Sequence, residues 1–158
     1  MNRLLAQGIA GAGATGFMTL VIGAAKGLSL FENPPPAEIT RRAAAKTDAS
    51  TTVESRDQPE FGITWMSAHA GFGALSGILY GQIQPHLPDA PVPMGLFYGG
   101  AVWAVNYLGI MPALGLYPAP ERDTRERTAV MIAAHAVYGV SLALLLQRIP
   151  GAATRPDR

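Results

Sequence analysis

An all-α membrane protein, with four transmembrane helices arranged as two helical hairpins, is the fold class that this sequence predicts. Three observations lead to it. The 12 Lys/Arg and 11 Asp/Glu of the 158 residues are crowded into a few stretches. Between Phe61 and Pro120 only Asp89 carries a formal charge, and residues 4–25 and 128–147 carry none. All 18 glycines except Gly151 fall inside or at the ends of these apolar runs. Finally, AHAGFG at 68–73 is echoed by AHAVYG at 134–139.

Helix geometry turns the runs into spans. About 20 residues at roughly 1.5 Å each cross a hydrocarbon core of about 30 Å. The expected spans are 5–27, 62–84, 94–116 and 128–148, with a polar connection at 28–60 and the loop PHLPDAPVP at 85–93. Four such helices leave too little polar surface for a soluble fold, so a single integral domain with the lipid bilayer as its surroundings is expected. The net charge of +1 gives no reason to invoke nucleic acid. Without cysteine there is no disulfide, thiolate metal site or cysteine nucleophile.

The first span holds GAGATG at 11–16, which spells the G-x-G-x-x-G of a dinucleotide site. That site needs a preceding strand, a βαβ unit and an acid about 20 residues on. Glu32 is near that distance, but NPPP at 33–36 follows at once and every later apolar run has spanning length. No nucleotide is expected. Instead, Gly8, Ala12, Gly16, Thr19, Gly23 and Gly27 recur at steps of three or four, predicting one small-residue stripe. Helices in lipid associate where small residues let their backbones approach. Read as a signal peptide, Arg3 and the GAA at 23–25 would be the n-region and cleavage site. The length and one-faced glycines favour a retained helix.

In the connection, AEITRRAAAK follows a proline run suited to a first helical turn and predicts a surface helix. TDASTTVESRDQPE after it reads as a mobile loop. The third span carries Gly95, Gly99, Asn106 and Ala113 on one face, and Pro112 is expected to kink it near Leu108. KGL then PPPAEITRR (26–42) is matched by LGL then PAPERDTRE (114–126), which extends the AHA echo into a duplicated hairpin. The acids from Glu121 to Glu126 alternate with arginines and read as a solvated turn. Lys and Arg near the span ends number eight on the side of the 1–2 and 3–4 connections and four on the other. This places both termini outside.

Polar groups at membrane depth raise a functional question by default. His69, Ser76 and Tyr80 share one face of the second span, and His135 and Tyr138 share one face of the fourth. With Asn106 they are expected in the bundle interior. Three readings of the histidine pair are open. The imidazoles bond neighbouring carbonyls, tyrosines or Asn106 and hold helices together. Alternatively His69 and His135 ligate a haem b, with Gly73 and Gly139 giving the ring room. Or His69, Tyr80, Asn106 and His135 line a proton or solute path. Trp65, Tyr98 and Tyr117 lie near span ends as interfacial anchors, and Trp103 and Tyr107 lie deeper, one turn apart. No third inward histidine or carboxylate completes a metal site, and no acid–base pair sits at depth, so no enzyme and no metal are expected.

A histidine early in the second span, GILYG (77–81), GLFYGGAVW (95–103), MPALGL (111–116) and the second histidine with YG together form a recognisable series. Across residues 65–139 the chain resembles the YagU-type small bacterial inner-membrane proteins. The resemblance implies a four-helix inner-membrane protein of unknown function and carries over no catalytic residue. The functional expectation is a non-enzymatic structural or accessory membrane component, self-associating or part of a larger complex, with no resident cofactor and with haem as the alternative.

Overall fold

The computed structural model describes residues 2–31, 33–46, 59–118 and 120–152, and every regular element among them is helical. Five helices follow in order: α1 (Arg3–Gly27), α2 (Pro35–Lys46), α3 (Pro59–Ile83), α4 (Pro91–Ala113) and α5 (Arg125–Arg148). GAGATG lies wholly within α1, with no strand beside it among the described residues. By length and composition α1, α4 and α5 can each cross a membrane, and α3 matches α1 at 25 residues. Large apolar side chains face outward on all four: Leu20 is 70% exposed, Leu75 69% and Phe97 72%, as suits a surface bathed in hydrocarbon.

The long helices start two or three residues before the expected spans, because their first turns are capped. The Asn2 side chain accepts from the Leu4 N–H at 2.9 Å, Pro91 opens α4 where a missing N–H is harmless, and Thr124 accepts from the Arg127 N–H. At the other end, α1 and α4 stop alike. Leu30 N–H returns to Ala25 O and Ser29 N–H to Lys26 O, just as Leu116 returns to Met111 and Gly115 to Pro112. Each is a Schellman stop, with Ser29 (φ 58°) and Gly115 (φ 63°) in the left-handed position. The expected pairing of KGL with LGL is thus displaced: Ser29, not Gly27, is the counterpart of Gly115.

α1 runs antiparallel to both α3 and α5, and α4 antiparallel to α5. A face of α1 from Ala6 through Ala10, Ala14 and Met18 to Ile22 packs into a core with Tyr138, Leu142 and Leu146 of α5. Two backbone-to-backbone contacts set the spacing. A Cβ on Gly11 would overlap the Gly73 carbonyl, and one on Gly77 would lie 2.6 Å from the Gly11 Cα. Between α4 and α5, Gly95 and Gly139 abut in the same way, and Gly99 lies against the His135 carbonyl. The expected stripe on α1 is therefore only partly correct. Gly8 packs on Ala74 and Ile78, but nothing lies within 4 Å of a Cβ built on Gly16, Gly23 or Gly27. Ala12 is only partly buried. The contact line runs instead through Gln7, Gly11 and Thr15, one residue around the helix, because α3 presents Gly73, Gly77 and Gly81 to it.

Hydrogen bonds lock the assembly. Tyr98 of α4 donates to the Ser76 carbonyl at 2.7 Å, its hydroxyl lies 2.9 Å from Ser76 Oγ, and its ring lies 4.7 Å from Tyr80. Tyr138 of α5 donates to Gly73 O at 2.9 Å. Tyr98 is 7% exposed, so it is a cross-helix tie and not the interfacial anchor expected from its position. Fully buried Gln7 donates to Ala152 O and accepts from Gln82. Helix α2 follows the proline run as expected and rests on α3 through Ala37 and Trp65. Most of the segment read as a mobile loop, 47–58, lies outside the described residues, and Pro59 and Glu60 already belong to α3.

Three predictions test this packing and the helix stop. Gly139→Leu should lower the unfolding free energy in mixed micelles by about 3 kcal/mol or more, since overpacking alone costs about 1–3 kcal/mol and here the neighbour is unyielding backbone. Gly16→Leu should stay within about 1 kcal/mol of the parent, the scale of helix propensity. Ser29→Gly should stabilise by about 1 kcal/mol, relieving a left-handed conformation that side chains resist. Denaturant titration followed by circular dichroism reads all three.

Candidate functional site

The glycine contacts occupy one half of the bundle only. Toward the end where α2 lies, the inward residues beyond Gly11, Gly73, Gly99 and Gly139 turn large: Met18, Trp103, Met111 and Met131. They surround a cavity of about 310 Å³. Helix α2 covers it with Pro35, Pro36, Ile39, Thr40 and Ala43, one face of a helix whose other side carries Glu38, Arg41 and Arg42. Lys46 donates to the Leu114 carbonyl and ties the end of α2 to the end of α4.

Pro112 shapes the α4 wall. It offers no N–H to Leu108, and the turn before it, Val105–Ile110, widens into a π-helical section. With that wider turn Trp103, Asn106, Tyr107 and Met111 all line the cavity. The Trp103 and Tyr107 rings stack at 5.4 Å.

Among the described residues no side chain lining the cavity is an acid, a lysine or an arginine, yet polar atoms gather there. His135 donates its Nδ1 proton to the Met131 carbonyl at 2.8 Å, which leaves Nε2 of the neutral ring as an acceptor. Asn106 donates Nδ2 to Val102 O at 2.8 Å, so its orientation is fixed and Oδ1 is the remaining acceptor. Asn106 Oδ1, His69 Nδ1 and Trp103 Nε1 are buried and have no partner among the described residues. All three residues line the one cavity. Buried polar atoms are ordinarily paired, so three orphans around one apolar space call for an explanation.

A second, polar pocket of about 190 Å³ adjoins it, lined by Asn33, Glu38, Arg42, Tyr117, Pro118 and Arg127. Tyr117 lines both spaces. Glu38 holds Arg41 and Arg42 at 2.7 Å each. The Arg41 hydrogen bond, ahead of the opposing effect of burial, pulls the Glu38 carboxyl below its usual range. Burial pushes the Tyr117 hydroxyl up, so it remains a proton donor. Asp123 was expected in a solvated turn. Its carboxylate is instead fully buried, accepting from Tyr107 (2.7 Å), the Thr124 N–H (2.8 Å) and Arg127 (3.1 Å). Three donors make such burial tolerable. Glu121, Arg122, Arg125 and Glu126 do face outward.

The residues singled out from sequence divide between two places. His69, His135 and Asn106 meet at the cavity, whereas Ser76, Tyr80 and Tyr138 form the tyrosine-rich tie beside the glycines. Of the reading of the histidines as polar links, one part is met, since His135 bonds a backbone carbonyl, but that carbonyl belongs to its own helix, and His69 Nδ1 has no partner among the described residues. His86 is exposed on the short loop. Among the described residues no group of three or more His, Asp or Glu is placed to hold a metal ion. The Asp123–Arg127 pair was missed, although its i,i+4 spacing around the Thr124 cap was a usable signal.

No curated protein and no solved structure matches the chain. A family model does match, over residues 1–157. The chain therefore belongs to the family of unknown function DUF6789.

Proposed function

We propose that this chain is a four-span, non-enzymatic accessory protein of the bacterial inner membrane that holds an apolar small molecule beneath α2. The observation that carries this reading is the set of three unpaired buried atoms, Asn106 Oδ1, His69 Nδ1 and Trp103 Nε1, on residues of one apolar cavity. Such a space, largely apolar with a few convergent polar groups, is the usual form of a small-molecule site. These atoms lie just beneath the cavity surface, and a hydroxyl or carbonyl on an otherwise apolar ligand would answer them after a small turn of their side chains. A role in binding without chemistry agrees with a lining that holds no carboxylate to work with the imidazoles.

The fourth span in this reading is α3, supported by its length and by outward-facing Ile63, Met66, Leu75 and Leu79. Duplication is supported by the two glycine-bound antiparallel pairs, α1–α3 and α4–α5, and by the shared Schellman stops. The bias of Lys and Arg puts α2 and the cavity at the cytoplasmic face. The likeness to YagU-type proteins rests on the short segments already quoted and supports an inner-membrane location. Self-association is left to the exposed faces.

A second reading, haem b between His69 and His135, is favoured by one observation: the Met131 bond leaves His135 Nε2 free as a metal ligand in the shared cavity. A Soret band lost in both His69→Ala and His135→Ala would establish it.

The principal test uses the two tryptophans. In Trp65→Phe protein, Trp103 is the sole emitter. Titration with a bromoalkanol should quench it saturably. Asn106→Leu, by removing one acceptor worth about 1 kcal/mol, should weaken that binding roughly fivefold. Linear quenching without saturation, identical in both proteins, would refute the site.

A further inference from the structure

We infer that the polar pocket and the apolar cavity form one site for a lipid ending in a phosphate monoester, its phosphate between Arg42 and Arg127 and its chain passing Tyr117 to lie under α2. The inference rests on the cavity reading for the chain, but the phosphate seat is argued from separate residues.

Charge is the first argument. Among the described residues, Arg41, Arg42 and Arg127 pair with two carboxylates, Glu38 and Asp123. Glu38 is shared by two guanidiniums, so α2 presents an uncompensated positive charge at the pocket. Geometry is the second. Arg42 bonds Glu38 through Nε, and Arg127 bonds Asp123 and Tyr117 through Nη1. Arg127 Nε is buried and without a protein partner. Arg42 and Arg127 both line the pocket, and the planar fork of Arg suits phosphate oxygens bridging their outer nitrogens. Tyr117, held protonated, adds an O–H at the boundary of the two spaces. Continuity is the third. One residue, Tyr117, lines a polar pocket on one side and an apolar cavity on the other, which is the arrangement an amphiphile requires. A pocket of about 190 Å³ takes the phosphate and little more, which favours a monoester over a bulky headgroup.

The test uses the full chain in detergent and native mass spectrometry, with four probes: dihexanoyl phosphatidic acid, dihexanoyl phosphatidylcholine, dihexanoylglycerol and inorganic phosphate. Phosphatidic acid should bind at least tenfold more tightly than the glycerol or the choline lipid, and inorganic phosphate more weakly still. Arg42→Gln and Arg127→Gln should each reduce phosphatidic acid binding about tenfold and leave dihexanoylglycerol unchanged. Arg42 is the safer variant, since it lies outside the Asp123 network. Asn106→Leu should weaken both lipids alike. Equal binding of phosphatidic acid and dihexanoylglycerol, indifferent to Arg42→Gln, would overturn the phosphate seat while the cavity reading survived. Binding of inorganic phosphate as tight as phosphatidic acid, with no uptake of dihexanoylglycerol, would overturn the lipid assignment and the cavity reading together.

Discussion

Everything in this fold depends on how closely two pairs of helices approach through glycine. In hydrocarbon, apolar side chains gain almost nothing by leaving lipid for protein, so association must come from close packing and polar bonds. Gly11 against Gly73 and Gly77, and Gly95 and Gly99 against Gly139 and His135, bring backbone onto backbone. That proximity makes the polar ties possible. Tyr138 reaches the Gly73 carbonyl and Tyr98 the Ser76 carbonyl because the helices are already close. The tyrosine hydroxyls then satisfy themselves on main-chain oxygens of α3.

The same constraint produces the cavity. Glycine contacts hold one half of the bundle, and past them the interior residues are Met18, Trp103, Met111 and Met131, which are too large for the same separation. Space between them needs a cover. Helix α2 supplies it: its prolines start it directly after α1 stops, its apolar face lies over the cavity, and Lys46 fastens its far end. The π-helical section before Pro112 belongs to this arrangement, because it carries Asn106 and Tyr107, which stand one turn from Trp103 and share the wall with it.

Much of this was legible in the residues, and the failures have physical causes. Charge-free runs located the long helices, and proline with polar amphipathic residues located α2. The partner face of α1 was not legible. Glycines on that helix appear at 8, 11, 13, 16, 23 and 27, more than one stripe can use, and only the matching glycines of α3 select Gly11. Likewise the polar residues Ser76, Tyr80 and Tyr138 were recognised as interior, but a linear sequence does not say that His69 and Asn106 face a common space while the tyrosines do not. Asp123 was misjudged because alternating charges look solvated, and its burial depends on Tyr107 arriving from a different helix.

Evolution of a purely structural bundle has no use for the unpaired atoms at the cavity. Replacing Asn106 with leucine or His69 with phenylalanine would remove a buried polar group and its desolvation penalty. Membrane interiors make such groups expensive, and those that persist in known proteins serve ligands, ions or protons. The tyrosine tie shows that this chain can satisfy its buried polar groups internally where they serve packing alone. At the cavity it does not: three polar side chains from two different helices surround an apolar space, and each has an atom unanswered by the protein. At the packed end the tyrosines and Gln7 are paired and Gln84 Oε1 is not, whereas three unpaired atoms gather on residues of the one cavity, and that concentration is what separates a site from a contact surface.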